Sequence, residues 1–259
     1  MQMDIQEDRN RVAVACRILG MLELTTPIQG HVSCRLPGED KCLIRARGPQ
    51  ETGLLYTTPN EVLIVDFNGQ IVDGSDGLTA PLEVYIHTAL YKARPEINSV
   101  VHIHPSIVVL FTICDAPLLP IIGAYNPQAL GIVLNERLSR YDRSILIRTP
   151  ELGADSASHM GQTDVCMMRG HGITAVGHDV PEATVNAINL AELATMNYKA
   201  RLLGNPRPIS DDDQDEFSRM LRGRIAPPGT IRKLPEIVYN LWRFYERRLR
   251  DFDGRGALS

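Results

Sequence analysis

The strongest constraint on the fold is the irregular order of strand-like and helix-like segments. Residues 4–24 place apolar side chains at 5, 12, 15, 16, 19 and 22, a helical spacing that stops at Thr25-Thr26-Pro27. Short β-leaning segments follow at Val32–Arg35 and Cys42–Arg45, separated by Pro37-Gly38. Glu61–Phe67 meets Asn68-Gly69, a strong hairpin signal, and the strand pattern resumes at Gln70–Val72. Pro81 opens a helix to about Ala93, broken before Pro95. Ser99–His104 reads as a strand, Ile107–Ile113 as a helix or buried segment, Ser144–Ile147 as a strand and 151–161 as a helix. Asp164–Met168 and Ile173–Val176 are apolar strands flanking Arg169-Gly170-His171-Gly172, and Pro181 starts a long helix to about Leu203. A doubly wound sheet needs a regular strand–helix–strand rhythm. Its absence predicts an α/β fold with a mostly antiparallel sheet.

The chain has 259 residues, enough for one large domain or two small ones with a core that needs no disulfide or structural metal. A net charge of −4 offers no general attraction to phosphate backbones, so nucleic acid is not an expected partner. The five cysteines are scattered without a CxxC, which fits a reducing compartment and thiols used as core filler. MQMDIQEDRN lacks an apolar signal-peptide region, and the longest mostly apolar run, Ile107–Cys114, falls short of the ~18 residues a membrane span requires. A cytoplasmic protein without membrane contact is expected.

Histidines carry the chemical information. His102 and His104 lie two apart in Val101-His102-Ile103-His104-Pro105, so on a strand they point to one face. His171 sits between Gly170 and Gly172, which permit a tight turn and close backbone approach. Three imidazoles with an open fourth position would make a catalytic metal site. By spacing alone, the H-x-H pair fits a chelate and a pair of satisfied polar groups at a strand end equally well. Glu83 follows Pro81-Leu82 at a helix start, where it could serve the helix dipole, bond His87 one turn on, or stand beside a metal as a general base. His178 and His159 read as a surface turn and a solvated helix position. No GxSxG, Walker A or GxGxxG pattern is present.

Taken in order, Gly30-His31-Val32-Ser33, Pro81-Leu82-Glu83, Tyr91-Lys92-Ala93-Arg94-Pro95 leading to Val101–Pro105, and Arg169-Gly170-His171-Gly172 resemble the class II aldolase/adducin family over about residues 12–210. The resemblance implies a three-layer α/β/α sandwich and a homotetramer with active sites between subunits. It implies one divalent metal per subunit, Mn²⁺ or Zn²⁺, on His102, His104 and His171, with Glu83 as acid/base. His31, Ser33, Arg47 and Gly48 fall where the family binds substrate. Residues 1–209 would form the catalytic domain and 210–259 a helical extension packed on the same or a neighbouring subunit.

Departures from the family pattern narrow the expected activity. Sugar-phosphate aldolases of the family have Asn at the place of His31, a Thr/Ser-Gly pair near Arg47-Gly48, and two serines where this chain has Pro81 and Leu82. Pro and Leu offer no donor to a phosphate, whereas Arg47 and His31 suit a planar carboxylate. The pattern resembles the branch that decarboxylates hydroxylated aromatic acids, for example 3-hydroxy-2-methylpyridine-4,5-dicarboxylate from vitamin B6 breakdown. The expected ligand is a small anionic aromatic molecule. An aldolase or epimerase is the alternative, and a non-enzymatic scaffold like adducin has no need for all four of His102, His104, His171 and Glu83. A Glu acting as acid would need a raised pKa, which burial beside Leu82 would supply.

Charge is uneven along the chain. Residues 1–216 hold 17 basic and 27 acidic side chains, and residues 217–259 hold 10 and 4. A basic helix over Pro235–Arg250, with Ile237, Leu241, Phe244, Tyr245 and Leu249 on one side, would pack on its own domain or dock on an acidic neighbouring subunit. Tyr125, Tyr198 and Tyr239 are candidates for contributions across a subunit boundary.

Overall fold

The structure, a computed structural model, describes residues 5–74, 76–134, 136–222 and 236–256. Its strands are β1 (His31–Arg35), β2 (Lys41–Arg45), β3 (Val62–Asp66), β4 (Ile71–Asp73), β5 (Ser99–Ile103), β6 (Leu138–Tyr141), β7 (Val165–Met168) and β8 (Gly172–Gly177). The helices are α1 (Ile5–Met21), α2 (Val84–Ala93), α3 (Ser106–Ile113), α4 (Pro127–Val133), α5 (Pro150–Met160), α6 (Val180–Leu203), α7 (Asp211–Arg222) and α8 (Glu236–Gly256). One eight-stranded sheet runs in the order β4-β3-β2-β1-β5-β8-β7-β6. Every pairing is antiparallel except β6 with β7.

Period-two alternation sorts the strand side chains into two cores. Val32, Val101, Ile103, Ile173 and Ala175 face α1, α3 and α6, while Val100, Cys166, Met168 and Val176 face α2 and α5. The result is the expected α/β/α sandwich. α6 presents Ala183, Ala187 and Ala194 to the core beside Leu190, and the small alanines let it approach the sheet closely. Asp179 caps that helix by accepting the Glu182 N–H at 2.8 Å. No described helix is long and apolar enough to cross a membrane.

Two local features differ from the sequence reading. Ser144–Ile147 is not a strand; the edge strand is Leu138–Tyr141, parallel to β7. The Ile147 N–H is used elsewhere, donating to Glu83 Oε1 at 2.8 Å. The helix after Pro81 begins at Val84, because Pro81-Leu82-Glu83 forms a preceding turn and Glu83 is the cap residue.

The basic C-terminal helix packs on α1 and α6 of its own chain. Its inward face is Val238, Trp242, Tyr245 and Leu249, so Phe244 stands 55% exposed rather than inside. Arg17 pairs with Asp253 at 2.5 Å, and the Tyr239 hydroxyl donates to Asp179 at 2.8 Å. Residue 235, the expected first residue of this helix, lies outside the described residues. Trp242, the only tryptophan, is 6% exposed. Replacing it with Ala is expected to cost about 3–5 kcal/mol in urea denaturation, the usual penalty for emptying a buried aromatic site. A loss near zero would show that α8 does not hold the fold together.

Candidate metal centre

The site forms where β5 ends. β5 lies between β1 and β8, with His31 opposite His102 and His102 opposite Thr174. All three side chains therefore share the α2-facing side of the sheet. His104 follows two residues after His102 and shares its direction. The Arg169–Gly172 turn brings His171 alongside. Gly170 is in the left-handed region at φ +57°, and a Cβ on Gly172 would sit 2.4 Å from the Ile103 carbonyl oxygen.

Glu83 completes the group. Its carboxylate does not cap α2 but turns inward, with Oε1 on the Ile147 N–H and Oε2 at 3.3 Å from His171 Nε2 and 3.5 Å from His102 Nε2. One ligand atom from each of Glu83, His102, His104 and His171 lies within 4.8 Å of the others. His87, the other possible partner of Glu83, instead contacts His31 and Ser33.

The donor set fits a divalent cation. Gln29 Oε1, an acceptor, lies 2.6 Å from His104 Nδ1, which must carry the proton. Thr174 directs its hydroxyl at Met168 Sδ and receives His102 Nδ1 at 3.4 Å. Both rings then turn unprotonated Nε2 atoms toward each other at 2.9 Å, an arrangement that a shared cation stabilises. Burial lowers the pKa of His102, and burial followed by repulsion from His102 and His171 pushes His104 down to about 3. Neutral imidazoles are the metal-binding form. Burial raises the Glu83 carboxyl, but its contacts with His102 and His171 lower it by more, leaving the group well below the usual carboxylate range. The expected raised pKa is thus reversed, and Leu82, 61% exposed, supplies no apolar cover.

A cleft of about 150 Å³ adjoins the cluster, lined by Gln29, His31, Arg45, Arg47, Glu83 and His104 among others. Arg47 gives its Nε to Glu51 at 3.1 Å, and no described contact engages its terminal nitrogens. Buried Arg45 pairs with the same carboxylate at 2.8 Å and donates to the Gly30 carbonyl. On this wall two guanidinium groups share the single Glu51 carboxylate, while the ionised Glu83 lies on the histidine side of the cleft. Ser33 and Gly48 do not line it: the Ser33 hydroxyl lies behind His31 in the core, and Gly48 faces Leu78. Tyr125, Tyr198 and Tyr239 also lie away from the cleft. Arg45, Gln29 and Thr174 escaped the sequence reading. Gln29 was adjacent to a motif already singled out, whereas Thr174 is revealed only by strand register.

The purified protein is expected to hold about one equivalent of divalent metal by elemental analysis. His102→Ala and His171→Ala lose it, while Glu83→Gln retains it. Metal loss in Glu83→Gln would make Glu83 a required ligand. A pH effect is also expected. His87 is fully buried, and its pKa is pushed down to about 3 from 6.5, by burial first and by His102 second. The unfolded chain therefore takes up this proton more readily. Stability contributed by neutral His87 is complete above pH 6.5 and is lost toward pH 3, by ~1.4 kcal/mol per pH unit. His87→Gln should flatten the dependence of urea-unfolding free energy on pH between 7 and about 5.

The model of the Class II Aldolase and Adducin N-terminal domain matches residues 10–198. A 3,4-dihydroxyphthalate decarboxylase of Arthrobacter keyseri is 34% identical over 213 residues, covering 81% of this chain and 85% of that protein. A 3,4-dihydroxyphthalate decarboxylase of Terrabacter sp. is 36% identical over 201 residues, covering 76% and 82%. The crystal structure of an aldolase II superfamily protein from Pseudomonas syringae superposes with a TM-score of 0.80 at 22% identity, covering 97% of this chain and 95% of that one. The domain match, the two relatives and the sandwich built around a histidine-rich strand end agree: the chain belongs to the class II aldolase and adducin family.

Proposed function

We propose that the protein is a metal-dependent decarboxylase of a hydroxylated aromatic dicarboxylate. The observation that carries the reading is the pairing of the Glu83/three-histidine cluster with a cleft wall of His31, Arg45 and Arg47, where Pro81 and Leu82 offer no hydroxyl to a phosphate. Names of the relatives add support. 3,4-Dihydroxyphthalate and 3-hydroxy-2-methylpyridine-4,5-dicarboxylate share one pattern: a ring hydroxyl beside a carboxylate that itself neighbours a second carboxylate.

His102, His104 and His171 would hold Mn²⁺ or Zn²⁺, which supplies Lewis acidity to the substrate oxygens. Arg47 offers its free terminal nitrogens to the retained carboxylate. Glu83, already ionised and anchored by the Ile147 N–H, accepts the ring hydroxyl proton at Oε2. It returns that proton to the ring carbon as the bond to the departing carboxylate breaks and its electron pair stays on the ring. The products are carbon dioxide and the monocarboxylate with its ring oxygen deprotonated, which takes a proton from water on release, so atoms and charge balance. Ile28, Leu82 and Leu146 line the cleft yet are 48%, 61% and 52% exposed, which supports an assembly, a homotetramer, in which a neighbouring subunit covers this rim.

The test is metal-supplemented turnover on both dicarboxylates and on L-fuculose 1-phosphate, read as carbon dioxide and aldehyde. Carbon dioxide from at least one dicarboxylate is expected, with Glu83→Gln slower by about 10²–10⁴-fold and Arg47→Ala raising KM. Aldehyde release from the sugar phosphate without carbon dioxide from either acid would overturn the proposal.

A further inference from the structure

Behind His31 runs a row of buried polar groups that neither the metal nor the cleft accounts for. His31 Nδ1 lies 2.6 Å from His87 Nε2, His87 Nδ1 lies 2.6 Å from Ser33 Oγ, and Ser33 Oγ lies 2.6 Å from the Tyr91 hydroxyl. His87 and Ser33 are fully buried and Tyr91 is 1% exposed. Four polar side chains in a dry layer between the sheet and α2 are costly unless each hydrogen finds an acceptor.

Three proton orders satisfy the three contacts; the one in which His87 and Tyr91 both donate to Ser33 strands the Ser33 hydrogen, and of the two that run one way throughout, Tyr91 decides. Among the described residues its hydroxyl has one hydrogen-bonding neighbour, Ser33 Oγ. If the row ran from His31 toward Tyr91, the phenol would accept from Ser33 and its own hydrogen would be stranded in the core. If it runs from Tyr91 inward, the phenol donates to Ser33, Ser33 donates to His87 Nδ1, and His87 Nε2–H donates to His31 Nδ1. No hydrogen is then stranded. His31 Nδ1 is filled as an acceptor, so the His31 proton sits on Nε2. Among the described residues that nitrogen has no hydrogen-bond partner; it is not sealed in the core and belongs to a residue lining the cleft.

We propose that Tyr91, Ser33 and His87 are positioning residues that lock His31 as its Nε2–H tautomer, a fixed hydrogen-bond donor to an anionic oxygen of the substrate. The inference rests on the decarboxylase reading for the identity of that oxygen, but not for the tautomer. The oxygen is one that keeps or gains charge during the reaction, the retained carboxylate or the ring oxygen. A donor on the departing carboxylate would lose its partner as neutral carbon dioxide forms, and would favour the ground state over the transition state. Burial supports the assignment by keeping His87 neutral, with its pKa at about 3. Tyr91 is itself held by stacking on Phe67 at 5.6 Å and by the Arg35 guanidinium 4.9 Å from its ring centre.

The direct test is ¹⁵N NMR of histidine-labelled protein loaded with Zn²⁺. The expected spectrum has His31 Nε2 as the protonated, pyrrole-type nitrogen and Nδ1 as the pyridine-type one. Ser33→Ala removes the hydroxyl that donates to His87 Nδ1, so the row loses its direction and His31 becomes a mixture of tautomers. In turnover, His87→Phe should lower kcat/KM by about 10²-fold, the scale of losing one preorganised donor, with metal content unchanged. His87→Gln, whose amide can donate to His31 and accept from Ser33, should recover most of that loss. A protonated Nδ1 on wild-type His31, or one unchanged tautomer in Ser33→Ala, would overturn the proposal. The expected tautomer in a protein that releases no carbon dioxide would instead sink the decarboxylase reading alone.

Discussion

Everything at the site depends on the antiparallel seating of β5 between β1 and β8. That pairing sets His31, His102 and Thr174 in one row across three strands, on the side facing α2. Side chains alternate with a period of two, so a slip of one residue would send His102 into the apolar core under α6 and bring Val101 to the metal side. The apolar residues Val101, Ile103, Ile173 and Ala175 on the opposite side hold the register, because a slip would expose them to the polar layer. The hydrophobic pattern of the strands is therefore what aims the imidazoles.

Electrostatics then determines which groups can share so small a space. Buried imidazoles near one another disfavour protonation, and the neutral state that results is the one a cation requires. Glu83 is the single carboxylate among them. The turn at Pro81-Leu82-Glu83 ends before the helix begins, freeing its side chain from the helix terminus, and the Ile147 N–H fixes one oxygen. The loop that makes this bond abandons strand pairing to do so. A second layer made of Gln29, Thr174, Ser33, His87 and Tyr91 orients the rings from behind, and each contact in it removes freedom that a flexible imidazole would otherwise keep. The arginines act across the cleft. Glu51 neutralises part of their charge and holds Arg45 and Arg47 side by side, leaving an anion-attracting wall rather than two mobile cations.

Where the chemistry is local in sequence, the sequence reveals it. His102 and His104 are two apart on a strand, His171 is flanked by glycines that a tight turn and close approach demand, and Glu83 follows a proline at a helix start. The reading fails where it extends a motif beyond what spacing can say. Ser33 belongs to the same short segment as His31 and points to the same face, yet it sits one pleat deeper and meets α2 instead of the cleft. Glu83 and Leu82 are adjacent, but the turn sends one inward and the other to solvent. Ser144–Ile147 has strand-forming residues whose backbone is claimed by a distant carboxylate. The C-terminal helix faces inward through Val238 and Trp242, because packing on α1 and α6 selected one of two overlapping apolar stripes.

The sequence by itself determined an α/β fold with a mostly antiparallel sheet, and it singled out His102, His104, His171 and Glu83. The fold class follows from the order and periodicity of the segments, while the grouping of the four residues came from the family resemblance of the motifs that carry them. Only the tertiary structure decided the ionisation of Glu83, the burial of Ser33, the recruitment of Arg45 and the row from Tyr91 to His31. Most of these depend on contacts between residues far apart in the chain, such as Ser33 with His87, 54 positions away, and Glu83 with His171, 88 positions away. Desolvation and hydrogen bonding act through those contacts, and neither is encoded in the spacing of neighbours along the chain.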